Sequence, residues 1–94
     1  MAKAEGRYRP DTKFLRSLAK VVKTLRIKNR QTQEQLATAS NINWRYLQEI
    51  EASETTPDSK LKNPSIGVFL ALSKGLDLSA TQFMAKILKE LTEI

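Results

Sequence analysis

The sequence TQEQLATASNINWRYLQEIE, residues 32–51, contains the signals for two short helices. Thr32 lies three residues before Gln35, which is the spacing of a capping box, so a helix is predicted to begin directly after Thr32. Leu36 supplies an inward-facing apolar side chain at helical spacing. The first part of the stretch therefore predicts a helix over residues 33–40.

The second part of the stretch predicts another helix after a short break. Asn43 is a suitable N-cap residue, and Leu47 and Ile50 form the inward face of a helix over residues 44–53. The outward face carries polar and aromatic side chains, namely Trp44, Arg45, Gln48 and Glu49. Two short helices joined by a tight turn are typical of the helix-turn-helix, whose second helix enters a DNA major groove about 12 Å wide.

The flanking sequence predicts three more helices. Apolar residues at helical spacing indicate a helix over residues 12–29, and Ser65, directly after Pro64, can cap a fourth helix. Ser79 and Gln82 form a second capping pair, which begins a fifth helix. We therefore expect an all-α, compact bundle of about five helices.

Composition limits the kinds of protein that this chain can be. Its 94 residues are enough for one small domain, and they include no cysteine and no histidine. Disulfides, thiolate metal sites and histidine bases are thereby excluded, so we expect no enzyme, no metal and no cofactor. No apolar run of about 18 residues and no signal peptide is evident, which favours a cytoplasmic protein without a membrane partner. Binding to DNA would make such a protein nucleoid-associated.

The charge is concentrated near the N-terminus. Residues 1–30 carry ten Lys or Arg against two acidic residues, a net of +8, whereas residues 31–94 carry six against eight, a net of −2; together they give the overall +6. Such a basic block suggests a polyanion partner, either nucleic acid or an anionic membrane surface. Residues 1–10, MAKAEGRYRP, are predicted to be a flexible basic arm that precedes a domain over residues 11–94.

Three segments together carry a resemblance to a known family. TQEQLA (residues 32–37), YLQEIE (46–51) and NPSIGVFLALSKGLDLS (63–79) resemble, at this joint spacing, the Cro/repressor-type (XRE) helix-turn-helix domain. The likeness runs from about Leu18 to Phe83. It implies a lambda-repressor-like fold and sequence-specific binding to double-stranded DNA.

The resemblance also implies roles for individual residues. It places at base-reading positions Gln33, Trp44, Arg45, Gln48 and Glu49. Beside these roles, the residues that we expect to contact the DNA backbone are Asn43, Lys28, Arg30, Lys60 and Lys62. The resemblance pairs Arg26 with Glu51 as a structural link between the first and third helices.

Some of these roles have alternatives. Arg45 can donate two hydrogen bonds to guanine, or it can contact a phosphate. Trp44 can contact a thymine methyl group, lie along the sugar-phosphate backbone, or shield the start of its helix. Glu49 can accept a hydrogen bond from cytosine, or it can orient Arg45.

The chain departs from the family pattern at two places. Asn41 occupies the left-handed turn where glycine is usual, which asparagine tolerates at a small cost. The link EASETTPDSKLKNPS, residues 51–65, is several residues longer than usual. Two interpretations of this link stay open: Lys60 and Lys62 clamp the DNA backbone, or Glu54 and Asp58 repel it.

The fifth helix, about residues 79–94, has more apolar surface than a lone domain needs. This surplus predicts a homodimer that reads a pseudo-palindromic operator. The predicted dimer-interface residues are Ile87, Leu88, Leu91 and Ile94.

The sequence thus favours a transcription regulator, either a repressor or an autoregulatory controller. The alternative is an antitoxin-like module whose main partner is a protein such as a toxin, bound through the 54–62 loop or the fifth helix. A third and weaker hypothesis is a helix that lies on a membrane surface.

Overall fold

The computed structural model describes residues 11–93, which form five α-helices and no strand. The helices are α1 (Thr12–Lys28), α2 (Gln33–Ser40), α3 (Trp44–Ala52), α4 (Ile66–Gly75) and α5 (Ala80–Thr92), and one 3-10 turn (Asp58–Lys60) lies between α3 and α4. The predicted all-α bundle of five helices is confirmed. The arm at residues 1–10 and Ile94 lie outside the described residues.

Side-chain caps explain where the helices begin. Thr32 and Gln35 cap the start of α2 reciprocally, with hydrogen bonds of 3.0 and 2.8 Å. Ser79 and Gln82 do the same for α5, at 3.0 and 2.9 Å. Asp11 accepts a hydrogen bond from the Phe14 amide at the start of α1. Each cap satisfies amide groups that the first turn of a helix leaves unpaired, and each contributes about 1 kcal/mol.

Three helices end in a left-handed residue that is not glycine. Arg30 (φ 59°), Asn41 (φ 56°) and Asp77 (φ 61°) follow α1, α2 and α4. After α2, the Ile42 amide donates to the Ala37 carbonyl at 3.0 Å, which is the bond that defines a Schellman motif. Because a side chain crowds the backbone at positive φ, each of these residues costs up to about 1–2 kcal/mol relative to glycine.

Side chains from all five helices form the core. Helix α5 packs on α1, and α4 packs on α2. Phe83 on α5 is fully buried and stacks on Phe69 of α4, with ring centroids 4.7 Å apart. The buried core residues are Leu18, Val21, Val22, Leu36, Ala37, Leu47, Ile50, Leu72, Leu76, Phe83 and Ile87. Each large apolar side chain buried here contributes about 1.5–3 kcal/mol.

One of the predicted dimer residues belongs to this core. Ile87 is 0% exposed within the single chain, so it cannot reach a second copy, and its assignment to the dimer interface is wrong. The reason is helical period, because Ile87 lies one turn after the core residue Phe83 and shares its inward face. Leu88, by contrast, is 46% exposed, and Leu91 is half-buried.

A glycine allows α4 to approach α2 closely. A Cβ atom at Gly75 would lie 3.0 Å from Leu36 Cδ1 and would also meet the Ser40 hydroxyl group. The Gly75 carbonyl in turn accepts a hydrogen bond from Gln31 Nε2 at 3.2 Å. This hydrogen bond ties the end of α4 to the turn before α2.

Candidate nucleic-acid interface

Helix α3 presents one polar face to solvent. Trp44 is 48% exposed, and Arg45, Gln48 and Glu49 are exposed beside it. These four positions lie on adjacent turns of the helix, opposite the buried side chains of α3. The structure therefore brings together four of the five residues that were predicted to read bases.

Asn43 has a structural task at the start of α3. Its side-chain oxygen Oδ1 accepts a hydrogen bond from the Tyr46 amide at 3.1 Å and caps the helix. The side chain is exposed, so its Nδ2 group is left to meet an external acceptor. A DNA-backbone contact by Asn43 is thus compatible with its role as a cap.

A buried ion pair braces α3 from behind. Arg26 Nε lies 2.7 Å from Glu51 Oε2, and Arg26 Nη2 lies 3.0 Å from Glu51 Oε1. The two side chains are only 13% and 4% exposed. Arg26 Nη1 also donates to the Gln31 carbonyl at 2.8 Å. Bidentate geometry of this kind fixes orientation as well as distance, so α1 and α3 are held in one relative position.

Gln33 joins the same cluster. Its Nε2 group donates to Glu51 Oε1 at 3.0 Å, and the side chain is half-buried. Because an ionised carboxylate can only accept hydrogen bonds, the amide nitrogen must be the atom that faces Glu51. Gln33 therefore ties α2 to α3, and a base contact by this residue would use the rest of its amide group. The sequence did not indicate this second partner of Glu51.

The long link after α3 is tied to α1. Arg16 Nη1 donates to the carbonyl oxygens of Ser53 and Glu54, both at 3.2 Å, and Arg16 Nη2 lies 2.7 Å from Asp58 Oδ1. Sequence reasoning missed Arg16, which it counted only as one cation of the basic block. Asp58 pairs with Arg16, which weakens the interpretation in which this carboxylate repels DNA.

The end of the link is tied to α3. Ser53 is 1% exposed; its hydroxyl donates to the Glu49 carbonyl at 3.1 Å and accepts from the Lys62 amide at 2.9 Å. This arrangement places Lys62 Nζ 3.4 Å from Glu49 Oε1, while Lys60 is exposed nearby. The cleft between α3 and the link is lined by Glu49, Ala52, Thr56, Ser59, Lys60 and Lys62.

The end of α1 carries the remaining predicted backbone contacts. Lys28, the last residue of α1, and Arg30 in the following turn are both exposed. Arg30 keeps its cationic side chain at a left-handed position that glycine would occupy with less strain.

One turn after Arg16 on α1, Lys20 Nζ lies 2.8 Å from Glu90 Oε2 of α5. The hydrogen bond and the charge of Glu90 raise the pKa of Lys20 above its ordinary value. This pair links α1 to α5.

Residues 11–93 contain no group of three His, Cys, Asp or Glu side chains that could hold a metal ion. No helix in this same range is long and apolar enough to cross a membrane.

Comparison with solved structures finds likeness to the restriction-modification controller protein C.Esp1396I. The wild-type protein superposes with a TM-score of 0.72 at 28% identity, over 86% of this chain and 96% of that one. Its tetramer in complex with its natural 35 base-pair operator gives a TM-score of 0.72 at 29% identity, over 84% and 95%. The same protein bound to a 19 base pair DNA duplex gives 0.68 at 30% identity, over 82% and 93%. No protein-family profile matches the chain, and no curated protein matches it by sequence.

The fold is that of a helix-turn-helix DNA-binding domain. It has five helices, a braced pair α2–α3 and an exposed polar face on α3. With 30% identity across 93% of a solved neighbour, the chain belongs to the Cro/repressor-type (XRE) helix-turn-helix family. The resemblance that the sequence motifs carried is confirmed.

Proposed function

We propose that this protein is a sequence-specific regulator of transcription that binds double-stranded DNA and acts as a controller. One observation carries the proposal: α3 presents Trp44, Arg45, Gln48 and Glu49 on one exposed face, and the buried pair behind it fixes the orientation of the helix. A helix of this width fits the major groove, and side chains near its N-terminus meet base edges there. The solved neighbours support this function, because they are controller proteins that have been crystallised with operator DNA.

Arg45 is the proposed main reader of base sequence. Its guanidinium can donate two hydrogen bonds to guanine O6 and N7, which contributes about 1–3 kcal/mol of discrimination. Glu49 is the proposed second reader through cytosine N4, and Trp44 offers apolar area to a thymine methyl group. The proposed phosphate contacts are Asn43, Lys28, Arg30, Lys60 and Lys62, which supply affinity and register rather than sequence information.

Selection from a pool of random DNA duplexes tests this proposal. We expect the wild-type protein to enrich a defined motif, and Arg45→Ala to relax the preference at one base pair of each half-site. Lys89→Ala is the matched control, because it removes one exposed positive charge from α5 and leaves α3 intact. Salt-sensitive binding with no enriched motif would show a backbone binder and would refute sequence-specific regulation.

We further propose a homodimer formed through the groove between α4 and α5. Apolar and small residues line this groove, namely Phe69, Ala80, Thr81, Met84, Ala85 and Leu88. Exposed apolar area of this kind supports a two-fold contact, and the tetrameric state of the solved neighbour on its operator supports oligomers in general. Two copies would read pseudo-palindromic half-sites about one helical turn apart.

Sedimentation measures this assembly directly. Leu88→Asp places a charge in the groove and should convert the dimer to a monomer. Ile27→Asp is the control, because Ile27 is also an exposed large apolar residue and lies on α1, away from the groove. A protein that is monomeric at tens of micromolar, or a dimer that Leu88→Asp leaves intact, would refute the proposed interface.

A module whose main partner is a protein such as a toxin is not favoured. The solved neighbour is a restriction-modification controller protein, and it has been crystallised in complex with its operator DNA. This neighbour also supports the assignment of the chain as a regulator rather than an enzyme. A cytoplasmic, nucleoid-associated location follows from the proposed DNA partner.

A further inference from the structure

We propose that Arg16 is a positioning residue for DNA binding, which holds the 54–62 link so that Lys60 and Lys62 grip the DNA backbone beside α3. The inference rests on the proposed function, since it concerns how this protein holds DNA. It assigns to Arg16 an indirect role: its guanidinium contacts the protein, and the lysines that it positions contact the phosphates.

The hydrogen bonds of Arg16 fix the first half of the link. One arm of the guanidinium holds the carbonyl groups of Ser53 and Glu54, and the other holds the side chain of Asp58 at the start of the 3-10 turn. That turn ends at Lys60, so the anchor lies two residues from the first lysine. Every side chain from residue 54 to 62 is exposed or only partly buried, so apolar packing gives the link little support.

The second lysine is fixed from the other end. The hydroxyl group of Ser53 binds the Lys62 amide, and Ser53 is itself buried against α3. A loop that is already ordered before binding loses less conformational entropy when it meets its ligand. The two anchors therefore present Lys60 and Lys62 in a preformed position.

The charges and polar groups of the cleft suit a phosphate. Lys60, Lys62 and the exposed hydroxyl group of Ser59 line it, and all three can donate to a phosphate oxygen. Lys62 lies 3.4 Å from Glu49, and its side chain is 40% exposed, so it can turn from Glu49 to a phosphate when DNA arrives. That movement would also leave Glu49 free to accept from a base.

Substitution of Asp58 separates positioning from simple electrostatics, because the two effects have opposite signs. Asp58→Ala removes a negative charge and leaves Arg16 with an unpaired positive charge, so electrostatics alone predicts tighter binding to DNA. If the link must be held in place, Asp58→Ala instead weakens binding. We expect operator affinity at fixed salt to fall by about threefold or more, because a loosened link weakens the phosphate contacts of the two lysines. Tighter or unchanged binding would overturn the proposal.

A double-mutant comparison tests whether Arg16 acts through the lysines. Lys60→Met with Lys62→Met should make the slope of log affinity against log salt less steep by about 1.8, since each lost contact removes about 0.9. Arg16→Met should weaken binding in the wild-type background and cost almost nothing further once both lysines are gone. An equal cost in both backgrounds would mean that Arg16 acts independently of the two lysines, and the proposal would be wrong.

Lys23→Met is the matched control, because Lys23 is an exposed cation on the same helix. It should have the same effect with or without the two lysines. Hydrogen exchange supplies a readout without DNA: the Lys60 and Lys62 amides should exchange faster in Arg16→Met than in Lys23→Met. If all these variants still enrich the motif, but Arg16→Met costs the same with and without the two lysines, this inference alone would be overturned. Absence of an enriched motif with the wild-type protein would refute the proposed function itself.

Discussion

Glu51→Gln tests the brace behind the recognition helix. Glu51 accepts hydrogen bonds from Arg26 Nε, Arg26 Nη2 and Gln33 Nε2, at 2.7, 3.0 and 3.0 Å. The substitution keeps the shape of the side chain and removes its charge, which leaves the guanidinium of Arg26 buried without a counter-ion. Removal of one partner from a buried ion pair costs about 3–5 kcal/mol.

The structure points to the lower end of this range. Arg26 keeps its hydrogen bond to the Gln31 carbonyl and retains 13% exposure to water, so we expect a loss of about 3 kcal/mol in the free energy of unfolding. A domain of 94 residues has about 5–14 kcal/mol in total. The variant should still fold, with a melting temperature about 12–24 °C lower.

Urea unfolding followed by circular dichroism measures the loss, and Glu49→Gln is the control. Glu49 lies on the same helix and faces Lys62, but both side chains are nearly half exposed, so its substitution should cost less than about 1 kcal/mol. Combining Glu51→Gln with Arg26→Met should recover part of the loss, because it removes the unpaired charge. Equal costs for Glu51→Gln and Glu49→Gln, or strict additivity in the double mutant, would refute the brace.

Three further substitutions follow from the backbone and the charges. In urea unfolding, Gly75→Ala should destabilise the fold by about 1–3 kcal/mol, because its new side chain clashes with α2. Gly67→Ala, at an open position of the same helix, should be neutral or stabilising by about 0.5 kcal/mol. Arg30→Gly should raise the free energy of unfolding by up to about 1 kcal/mol and weaken operator binding in a salt-dependent manner. Asn41→Gly should raise stability alone. Equal DNA affinity in the two variants would show that Arg30 does not contact the DNA backbone. Because the pKa of Lys20 is raised in the folded state, its ion pair with α5 stabilises the fold below the ordinary lysine pKa of 10.5 and is lost as pH rises through the higher folded value. The difference in melting temperature between the wild-type protein and Lys20→Met should therefore be constant near neutral pH and shrink at strongly alkaline pH.

Local signals in the sequence were sufficient for the helices. Thr32 with Gln35 and Ser79 with Gln82 are capping pairs at fixed spacing, and each predicted the first residue of its helix. Caps are read from neighbouring residues and do not depend on the rest of the fold. The resemblance to the family, and not a local cap, placed Asn41 at the left-handed turn after α2, and its φ of 56° agrees.

Contacts between distant helices were not available from local signals. Periodicity gives α5 a broad apolar stripe, but it does not show how much of that stripe α1 and α4 cover. The sequence therefore assigned both Ile87 and Leu88 to a dimer contact, whereas one is fully buried and the other is nearly half exposed. Similarly, the partner of Arg16 lies 42 residues further along the chain, and no spacing rule relates them.

The basic block illustrates why charge alone overstates the DNA-facing surface. Residues 11–30 carry seven Lys or Arg. Three of them form ion pairs with acidic residues of the same chain: Arg16 with Asp58, Lys20 with Glu90 and Arg26 with Glu51. The other four are exposed, namely Lys13, Lys23, Lys28 and Arg30. The paired cations hold the 54–62 link, α5 and α3 in place, so they shape the surface that meets DNA. The number of phosphates that this segment can neutralise is therefore set by the cations that are not paired within the protein and not by its net charge.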